Sequence, residues 1–428
     1  MKNLHLILAT AALACFGAAH AADAPVIALK AARLFDAVNG SLRTDAVVVV
    51  QGTKILSVGG EVPAGAQVID LGNATLLPGF IDAHTHLTQE YNPDYYKEFY
   101  KELFRFPAEQ SFYAAVYAKH TLEAGFTTVR NVGANDWVDV GLRNAINAGV
   151  TEGPHVLTAI HAIGVTGGHC DQSPFPPEWR KPVGPIEGVC DSADSCREAV
   201  RDQMKWGADV IKICASGGVL SESDPVDVPQ LTPAELDAIV SEAHRWKRKV
   251  AAHCHGDVAA RQAIEAGVDS IEHGTFLTED TLKLMKKKGV YLVPTRMAAY
   301  WVGKNADVFP PQIAAKARAV GGAHAAMFKM ALNVGVNIAF GTDAGVYPHG
   351  MNAMEFALMT DLGMAPSAAL LSGTRDAARL LGVDSTTGTL EAGKTADIVA
   401  VPGNVLEDIH ATEHPVFVMK DGQVYLRK

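Results

Sequence analysis

Short runs of Val, Ile and Ala alternate with longer stretches of helical periodicity along most of this chain. Strands that alternate with helices favour parallel βαβ units. Eight such units predict an α/β protein of the (β/α)8 TIM-barrel type, for which about 250 residues are typical. A doubly wound open sheet is the structural alternative. The predicted strands are Thr75–His86, Thr127–Val132, His155–Ile163, Val210–Ser216, Lys249–His255, Ser270–Gly274, Val290–Thr295 and Asn337–Asp343.

The helical stretches between these runs carry boundary signals. Thr232 is followed by Pro233 and, three positions after the threonine, by Glu235, which predicts an N-cap, a first helical residue and a capping box. Gly267 and Gly289 lie where helices are expected to end before the next strand. The alternation of strands and helices is therefore supported by residues that start and stop helices.

The two flanks of the chain have a β-type pattern with tight turns, such as Asp421-Gly422 near the end. Neither flank is long enough to build a core alone, so we expect both ends to join in one domain. The predicted domains are a β-sandwich from residues 23–76 and 384–428 and a barrel from residues 77–383.

Composition limits the partners of this protein. The chain has 428 residues, is 48% hydrophobic and carries a net charge of −10 without a basic run. A large core is therefore expected, and nucleic acid or an anionic membrane is not an expected partner. No run after the N-terminal segment is long enough to predict a membrane span.

The first 22 residues resemble a targeting segment. Lys2 precedes an apolar run from Leu4 to Phe16, and Ala19-His20-Ala21 fits the small-x-small cleavage rule. We therefore predict a cleaved signal peptide at residues 1–22 and a periplasmic or secreted protein.

Cysteines outside this segment fall into two groups. An oxidising compartment permits a disulfide, and the local pairing Cys190–Cys196 is the prediction, although connectivity is not readable from sequence. Cys214 and Cys254 lie in apolar strands and are expected to be small buried hydrophobic residues.

Residues able to bind a metal follow the predicted strands. His84 and His86 are two positions apart, so in a strand they point to the same face, although two surface histidines would give the same spacing. Active sites of barrels lie at the C-terminal ends of the strands, where further candidates occur. The six candidates are His84, His86, Lys212, His253, His273 and Asp343.

Lys212 is unusual because Ile, Val and Cys surround it in a predicted buried strand. Such a position would place an ammonium group in apolar surroundings, which disfavours the charged form. Carbamylation by CO₂ would convert the neutral amine into an anion with two oxygen ligands. The same residue could then bridge two cations.

This pattern of His-x-His, Lys, His, His and Asp on strands one, four, five, six and eight resembles the amidohydrolase superfamily with a binuclear metal centre. The resemblance covers essentially the whole chain after the N-terminal segment. Several motifs are similar to the Xaa-Pro/Xaa-Arg dipeptidase branch, which includes secreted bacterial relatives of ochratoxinase. The motifs similar to this branch are Thr166–His169, Val250–Gly256 and Ser270–Gly274. Those that resemble the superfamily as a whole are Pro78–Asp82, Gly388–Lys394 and Ala396–Val399.

The resemblance implies roles for the six candidates. His84, His86 and Asp343 would hold the inner ion, and His253 and His273 the outer ion. Lys212, as N6-carboxylysine, and a hydroxide would bridge the two ions, with zinc as the default metal. Asp343 would accept the proton of the hydroxide and pass it to the leaving amine. The resemblance also implies a homo-oligomer, such as an octamer.

A second set of residues is expected to contact the substrate. Each also has an ordinary interpretation as a loop or surface residue, and Arg296 is considered because its guanidinium could pair with a substrate carboxylate. The proline-rich loop of residues 166–193 is expected to cap the pocket, with a purely structural crossing loop as the alternative. The predicted contacts are His169, Gly218, His255, Arg296 and His349.

The resulting functional prediction is a metal-dependent amidohydrolase. Its substrates would be small amides or peptides with a C-terminal amino acid, such as dipeptides, N-acyl amino acids or ochratoxin A-like conjugates. A hydroxide that bridges the two metal ions would attack the amide carbonyl. A cyclic-amide hydrolase similar to imidazolonepropionase or a hydantoinase is the enzymatic alternative. An inactive periplasmic binding protein is the alternative of another class.

Overall fold

The computed structural model of this chain describes residues 24–171, 178, 182–222 and 224–428. The predicted signal peptide and part of the predicted capping loop therefore lie outside the described residues. Among the helices that are described, none combines the length and the apolar composition needed to span a bilayer.

Strands and helices alternate as predicted, and both chain ends are β-rich. The strands are β1 (Val26–Asp36), β2 (Ser41–Gln51), β3 (Lys54–Val58), β4 (Gln67–Asp70), β5 (Ala74–Pro78), β6 (Phe80–Thr85), β7 (Phe126–Asn131), β8 (His155–Thr158), β9 (Val210–Cys214), β10 (Lys249–Cys254), β11 (Ser270–His273), β12 (Tyr291–Val293), β13 (Ile398–Pro402), β14 (Phe417–Lys420) and β15 (Gln423–Arg427). The α-helices are α1 (Tyr95–Glu102), α2 (Pro107–Glu123), α3 (Val138–Asn147), α4 (Ala193–Lys205), α5 (Pro233–Arg245), α6 (Asp257–Ala266), α7 (Glu279–Lys288), α8 (Arg296–Lys304), α9 (Pro311–Val334), α10 (Met354–Thr360), α11 (Pro366–Leu371) and α12 (Ala377–Leu381).

The two chain ends form one mixed sheet with the order β15-β14-β13-β5-β1-β2-β3, in which β4 also pairs with β1. The junction between the ends is the antiparallel pair of β5 and β13, where Val399 lies opposite Leu77. The expected joining of the ends is thus observed in the described residues. The β-sandwich form of this domain and its boundaries stay predictions.

The first predicted strand, Thr75–His86, is in fact two strands that separate at Gly79. The Gly79 amide donates to the Asp397 carbonyl in the terminal sheet, whereas the Phe80 amide donates to the Gly125 carbonyl beside the barrel. A Cβ atom at Gly79 would lie 2.0 Å from the Thr127 hydroxyl, so only glycine fits this crossing. The chain therefore passes from one sheet to the other at this residue.

The barrel strands form two parallel sheets, β6-β7-β8 and β12-β11-β10-β9. Ile163 bridges Ile213 on one side, while Leu292 bridges Ile338 and Thr85 bridges Ala344 on the other. These bridges complete a ring of parallel backbone segments. The fold is a TIM-barrel-like α/β arrangement, which confirms the fold prediction at this coarser level.

Two predicted strands differ from the observed elements. The segment Asn337–Asp343 makes single bridges instead of a continuous ladder, and Asp343 itself has φ of 63°. The strand predicted over His155–Ile163 ends at Thr158, because Ile160 has φ of 65°. A left-handed backbone interrupts extended pairing, and the hydrophobic pattern does not reveal it.

The helix signals and most of the cysteine predictions are confirmed. Helix α5 begins at Pro233 with Thr232 as its N-cap, and Gly267 and Gly289 end α6 and α7. Cys190 pairs with Cys196, and Cys254 is buried and free. Cys214 is buried as predicted, but it does not remain a simple hydrophobic residue, because the loop after residue 163 brings Cys170 within a Cα–Cα distance of 5.9 Å and the two form a disulfide.

Candidate metal centre

Three of the predicted ligands meet where β6 approaches residues 337–344. The Nε2 atoms of His84 and His86 lie 3.5 and 3.3 Å from the same oxygen, Oδ1 of Asp343. Burial would raise the pKa of Asp343, but the two imidazoles hold it well below its usual range. The carboxylate is therefore ionised and faces two ring nitrogens, as an ion-binding group should.

A second cluster joins the ends of β10 and β11. Ligand atoms of His253, His255 and His273 all lie within 4.8 Å of one another, and the ring of His273 is 4.9 Å from that of His84. His253 and His273 are thus together, as predicted. His255, predicted as a substrate contact, lies in the same cluster, with its Nδ1 atom 2.7 Å from the Thr275 hydroxyl.

Lys212 is buried in β9, with 4% of its surface exposed. Burial lowers the pKa of its ammonium group to about 8, although Glu272 and Asp343 oppose this shift. Among the described residues, Nζ has no hydrogen-bond or ion-pair partner. A buried amine that readily becomes neutral has the chemistry that carbamylation requires.

The protonation of the histidines also suits divalent cations. Burial lowers the pKa of His84 to about 4 and that of His255 to about 3, so both rings are neutral and retain a lone pair. Neutral imidazoles combined with a carboxylate match the ligand preferences of zinc and related divalent metals. The donor set therefore fits a metal centre, while the arrangement leaves the identity of the metal open.

A buried ion-pair network behind the ligands was missed by the sequence interpretation. Nδ1 of His84 donates to Oε2 of Glu272 at 2.7 Å, and Nη2 of Arg130 donates to Oε1 of the same carboxylate at 2.8 Å. Burial acts to raise the pKa of Glu272, but Arg130 and His84 hold it at about 2. The network fixes the tautomer of His84 and leaves its Nε2 lone pair free towards Asp343.

Asp82 joins the two segments that carry the first cluster. Its Oδ1 atom accepts from the amides of His84 and Thr342, each at 3.1 Å, and its Oδ2 atom accepts from Asn352 at 2.8 Å. This buried carboxylate therefore sets the spacing between His84 and Asp343. The sequence does indicate both networks, because Asp82, Arg130 and Glu272 are charged residues inside apolar strands, where a buried charge needs a partner.

Behind the second cluster lies Arg296, the first residue of α8. Thr295 approaches Nδ1 of His273 with its hydroxyl at 2.7 Å, and His324 donates to the His273 carbonyl at 3.0 Å. The guanidinium of Arg296 contacts His324 through Nη1, while its buried Nε has no hydrogen-bond partner in the described part of the chain. Arg296 is therefore a buried cation with an unused donor next to the predicted metal site.

His169 lies against the second cluster, with its ring stacked 4.3 Å from that of His253. Its Nδ1 atom is 3.1 Å from the Ser221 hydroxyl, and a Cβ atom at Gly218 would lie 2.2 Å from the same ring. Gly218 therefore makes space for the ring of His169, and contact of either residue with a substrate stays a prediction.

His349, predicted to contact the substrate, packs against α2 and the loop after β6, and its substrate role stays a prediction. Its ring stacks on Tyr117 at 5.0 Å, Nε2 donates to the Gln89 carbonyl at 2.9 Å, and Nδ1 lies 3.5 Å from the Thr121 hydroxyl. Both ring nitrogens thus face protein groups. These contacts support packing of the loop after β6 and give no support to a substrate role.

Comparison with known proteins places these residues in context. Residues 75–426 match the profile of the amidohydrolase family. Ochratoxinase of Aspergillus niger is 33% identical over 371 residues, which cover 82% of this chain and 75% of the ochratoxinase. A crystal structure of a Xaa-Pro dipeptidase with methionine bound in its active site has a TM-score of 0.88 and 37% identity, covering 94% of this chain and 100% of that one. A prolidase complexed with N-methylphosphonate-L-proline has a TM-score of 0.85 and 30% identity, with coverage of 94% and 100%.

Proposed function

The chain belongs to the amidohydrolase family, and we propose that it cleaves the amide bond that joins an acyl or aminoacyl group to a C-terminal amino acid. That it is a hydrolase of amide bonds in small substrates follows from the family and from its relatives. The non-enzymatic alternative is therefore wrong. The proposal concerns the substrate class and the residues that act on it.

The proposed metal ligands are His84, His86, Lys212, His253, His273 and Asp343. Two divalent ions held there would acidify a water molecule and polarise the scissile carbonyl. Asp343 is the proposed proton carrier, because its ionised carboxylate lies beside His84 and His86 and could deliver a proton to the leaving amine. Lys212 contributes two oxygens only if it is carbamylated, which is favoured by its buried amine, for which the described residues offer no hydrogen-bond partner.

One observation supports the choice of a C-terminal amino acid: among the described residues, the buried Nε of Arg296 has no hydrogen-bond partner. A buried guanidinium with an unused donor is stabilised by a carboxylate, which forms strong charge-assisted hydrogen bonds. The similar dipeptidase binds methionine, and the similar prolidase binds a proline derivative. Both ligands contain an amino-acid carboxylate, which supports the same substrate class for this chain.

Matched substrate pairs test this proposal without any mutation. N-acyl amino acids, dipeptides and ochratoxin A are compared with their C-terminal carboxamides, and a lactam represents the cyclic alternative. We expect the carboxylates to have kcat/KM values about 10²-fold above the carboxamides, because a missing charged partner costs about 3 kcal/mol. Equal turnover of acid and amide, or faster turnover of the lactam, would reject the assignment.

We also propose that the protein is exported from the cytoplasm after cleavage of the predicted signal peptide. The disulfides Cys190–Cys196 and Cys170–Cys214 support an oxidising location outside the cytoplasm. N-terminal sequencing of the protein recovered from a periplasmic extract is the test. Protein that begins near residue 22 or 23 is expected, and recovery only from the cytoplasm with an intact N-terminus contradicts the proposal.

A further inference from the structure

A chain of hydrogen bonds runs from the ring of His169 to a buried carboxylate. Nδ1 of His169 lies 3.1 Å from Oγ of Ser221, and this hydroxyl in turn contacts Oδ1 of Asp224. Asp224 is buried in the segment after β9, whereas His169 belongs to the loop that follows residue 163. The serine hydroxyl therefore links a carboxylate on one loop to an imidazole on another.

The direction of the hydrogen bonding follows from the groups that Ser221 contacts. Besides Asp224, its hydroxyl contacts the carbonyl of Gly218 at 3.2 Å. A carboxylate and a carbonyl only accept, so the single hydroxyl hydrogen of Ser221 points to one of them. The serine oxygen can then engage Nδ1 of His169 only as an acceptor, which requires a hydrogen on Nδ1. In a neutral imidazole the other nitrogen, Nε2, then keeps its lone pair.

Asp224 is itself held by groups that only donate. Its Oδ2 atom accepts from the Gly218 amide at 3.1 Å and from Nε2 of Gln230 at 2.7 Å, while Nζ of Lys316 lies 3.7 Å from Oδ1. Burial acts to raise the pKa of Asp224, but the groups around it hold it below its usual value, so the carboxylate is an acceptor. Oε1 of Gln230 also accepts from the His169 amide at 3.0 Å. The same network thus fixes the backbone and the ring of His169.

The second ring nitrogen of His169 is not used by this network. The ring is half-buried, and among the described residues Nε2 has no hydrogen-bond partner. The ring stacks on that of His253 with an angle of 29° between the planes. Because imidazole lone pairs lie in the ring plane, nearly parallel rings do not direct them to one ion. Nε2 of His169 is therefore available to a substrate beside the metal centre.

We propose that Asp224 is a positioning residue, which through Ser221 holds His169 in the Nδ1–H tautomer and so presents the Nε2 lone pair to an N–H group of the substrate. This role rests on the proposed amidase function and specifies the direction of one hydrogen bond in that site. The proposed substrates offer two such groups, the α-amino group of a dipeptide and the N–H of the scissile amide. A carboxylate or carbonyl oxygen only accepts and is not a partner for Nε2.

Asp224→Asn should reverse the chain while keeping its shape. Gly218 and Gln230 continue to donate to one oxygen, so the new amide nitrogen faces Ser221 and donates to it. The serine hydroxyl can then donate to Nδ1 of His169, which moves the ring hydrogen to Nε2. In ¹⁵N NMR spectra of metal-loaded protein labelled in histidine, the His169 signals should shift from the Nδ1–H towards the Nε2–H tautomer. A His169→Gln variant identifies these signals by their loss.

Substrates that lack one N–H group at a time show which group Nε2 binds. An alanyl dipeptide is compared with its propionyl analogue, which lacks the α-amino group, and with an analogue methylated at the scissile amide nitrogen. At pH 8, where an ordinary imidazole is neutral, one of the two losses should lower kcat/KM about 10-fold or more in the parent protein. The same loss should change kcat/KM by less than about 2-fold in Asp224→Asn, as in a double-mutant cycle.

Asp227→Asn is the matched control, because Asp227 is exposed in the same segment. It should keep the His169 spectrum and the substrate preference of the parent protein. Ser221→Ala interrupts the chain without reversing it, so it should give a mixture of tautomers, and it replaces Asp224→Asn if that variant does not fold. Circular dichroism and metal content verify the folding of each variant.

Two results would overturn the positioning role. One is an Nε2–H tautomer of His169 in the parent protein, and the other is an unchanged substrate preference in folded Asp224→Asn. The proposed function fails separately, because a metal-loaded parent protein that cleaves none of the amides rejects the amidase. The NMR spectra do not depend on turnover and would still report the tautomer in that case.

Discussion

His84 illustrates how single residues are prepared for chemistry in this protein. One ring nitrogen donates to the buried Glu272, and the other lies 3.5 Å from Asp343. Because Arg130 holds Glu272 ionised, the tautomer of His84 is determined by a group that never needs to touch a substrate. The protonation of a proposed ligand thus depends on buried charges behind it.

Asp343→Asn tests the proton-carrying role at this scale. The amide oxygen can still contact a metal ion, but the group can no longer accept and release a proton. We expect at least one ion per chain to remain and kcat to fall about 10²–10⁴-fold. Metal analysis and steady-state kinetics on the same sample provide the measurement, with Asp384→Asn as an exposed control. A near-normal rate in the metal-replete Asp343→Asn variant contradicts the role.

Glu272→Gln tests the buried network. The change leaves the Arg130 guanidinium without its counter-charge in the core, and breaking a buried pair in this way costs about 3–5 kcal/mol. Denaturant unfolding should report this loss, together with weaker metal retention through His84. Glu265→Gln on the exposed face of α6 should change the unfolding free energy by no more than about 0.5 kcal/mol. Similar values for the two variants would show that the network is not essential to stability.

At the scale of elements, the segment that follows β9 positions His169. Nζ of Lys316 in α9 donates to the carbonyls of Gly218 and Ser221 at 3.1 and 2.8 Å. The disulfide between Cys170 and Cys214 ties the loop of His169 to the end of the strand that carries Lys212. The loop that carries His169 is thus held by the disulfide, and the segment after β9 is held by Lys316. Gly218 leaves the space that the ring of His169 occupies.

Gly218→Ala tests whether the position of His169 matters for catalysis. The new Cβ would lie 2.2 Å from the ring of His169, so the ring must move, while the backbone of residue 218 can accept alanine. A displacement of about 1 Å near a reaction centre can cost about 10²-fold, so kcat/KM should fall by that order without loss of folding. Gly322→Ala in α9, where nothing lies within 4 Å, is the control. Unchanged kinetics in Gly218→Ala would exclude His169 from the reaction.

For the whole molecule, the barrel brings together ligands that are far apart in the chain. The candidates come from the ends of β6, β9, β10 and β11 and from the segment that closes the ring. The two ions proposed to be held by them would link segments around the barrel in the folded state only. Binding should therefore stabilise the fold as well as supply chemistry.

Metal removal tests this coupling. Dialysis against a chelator should lower the thermal unfolding midpoint by roughly 5–10 °C, because each of the two proposed ions, at 1,000 times its dissociation constant, stabilises by about 4 kcal/mol. Addition of zinc should restore the midpoint. An unchanged midpoint after measured loss of the metal would show that metal binding does not stabilise the barrel.

The sequence by itself determined the class of fold and the ligand candidates. Hydrophobic periodicity identifies strands and helices because it is local, and it places most strand ends, except where left-handed residues such as Ile160 interrupt a strand. The predicted ligands His84, His86 and Asp343 therefore meet as expected, as do His253 and His273. The candidate ligands could be brought together from sequence because barrel geometry places the ends of its strands at one face.

Only the tertiary structure decided which side chains support the site. It shows that Gly79 separates two sheets, that Cys214 has a partner 44 residues away, and that His349 packs against Tyr117. It also places Arg130 and Glu272, from different strands, in one buried ion pair. Such facts depend on which distant segments approach each other, and no local pattern of residues contains that information.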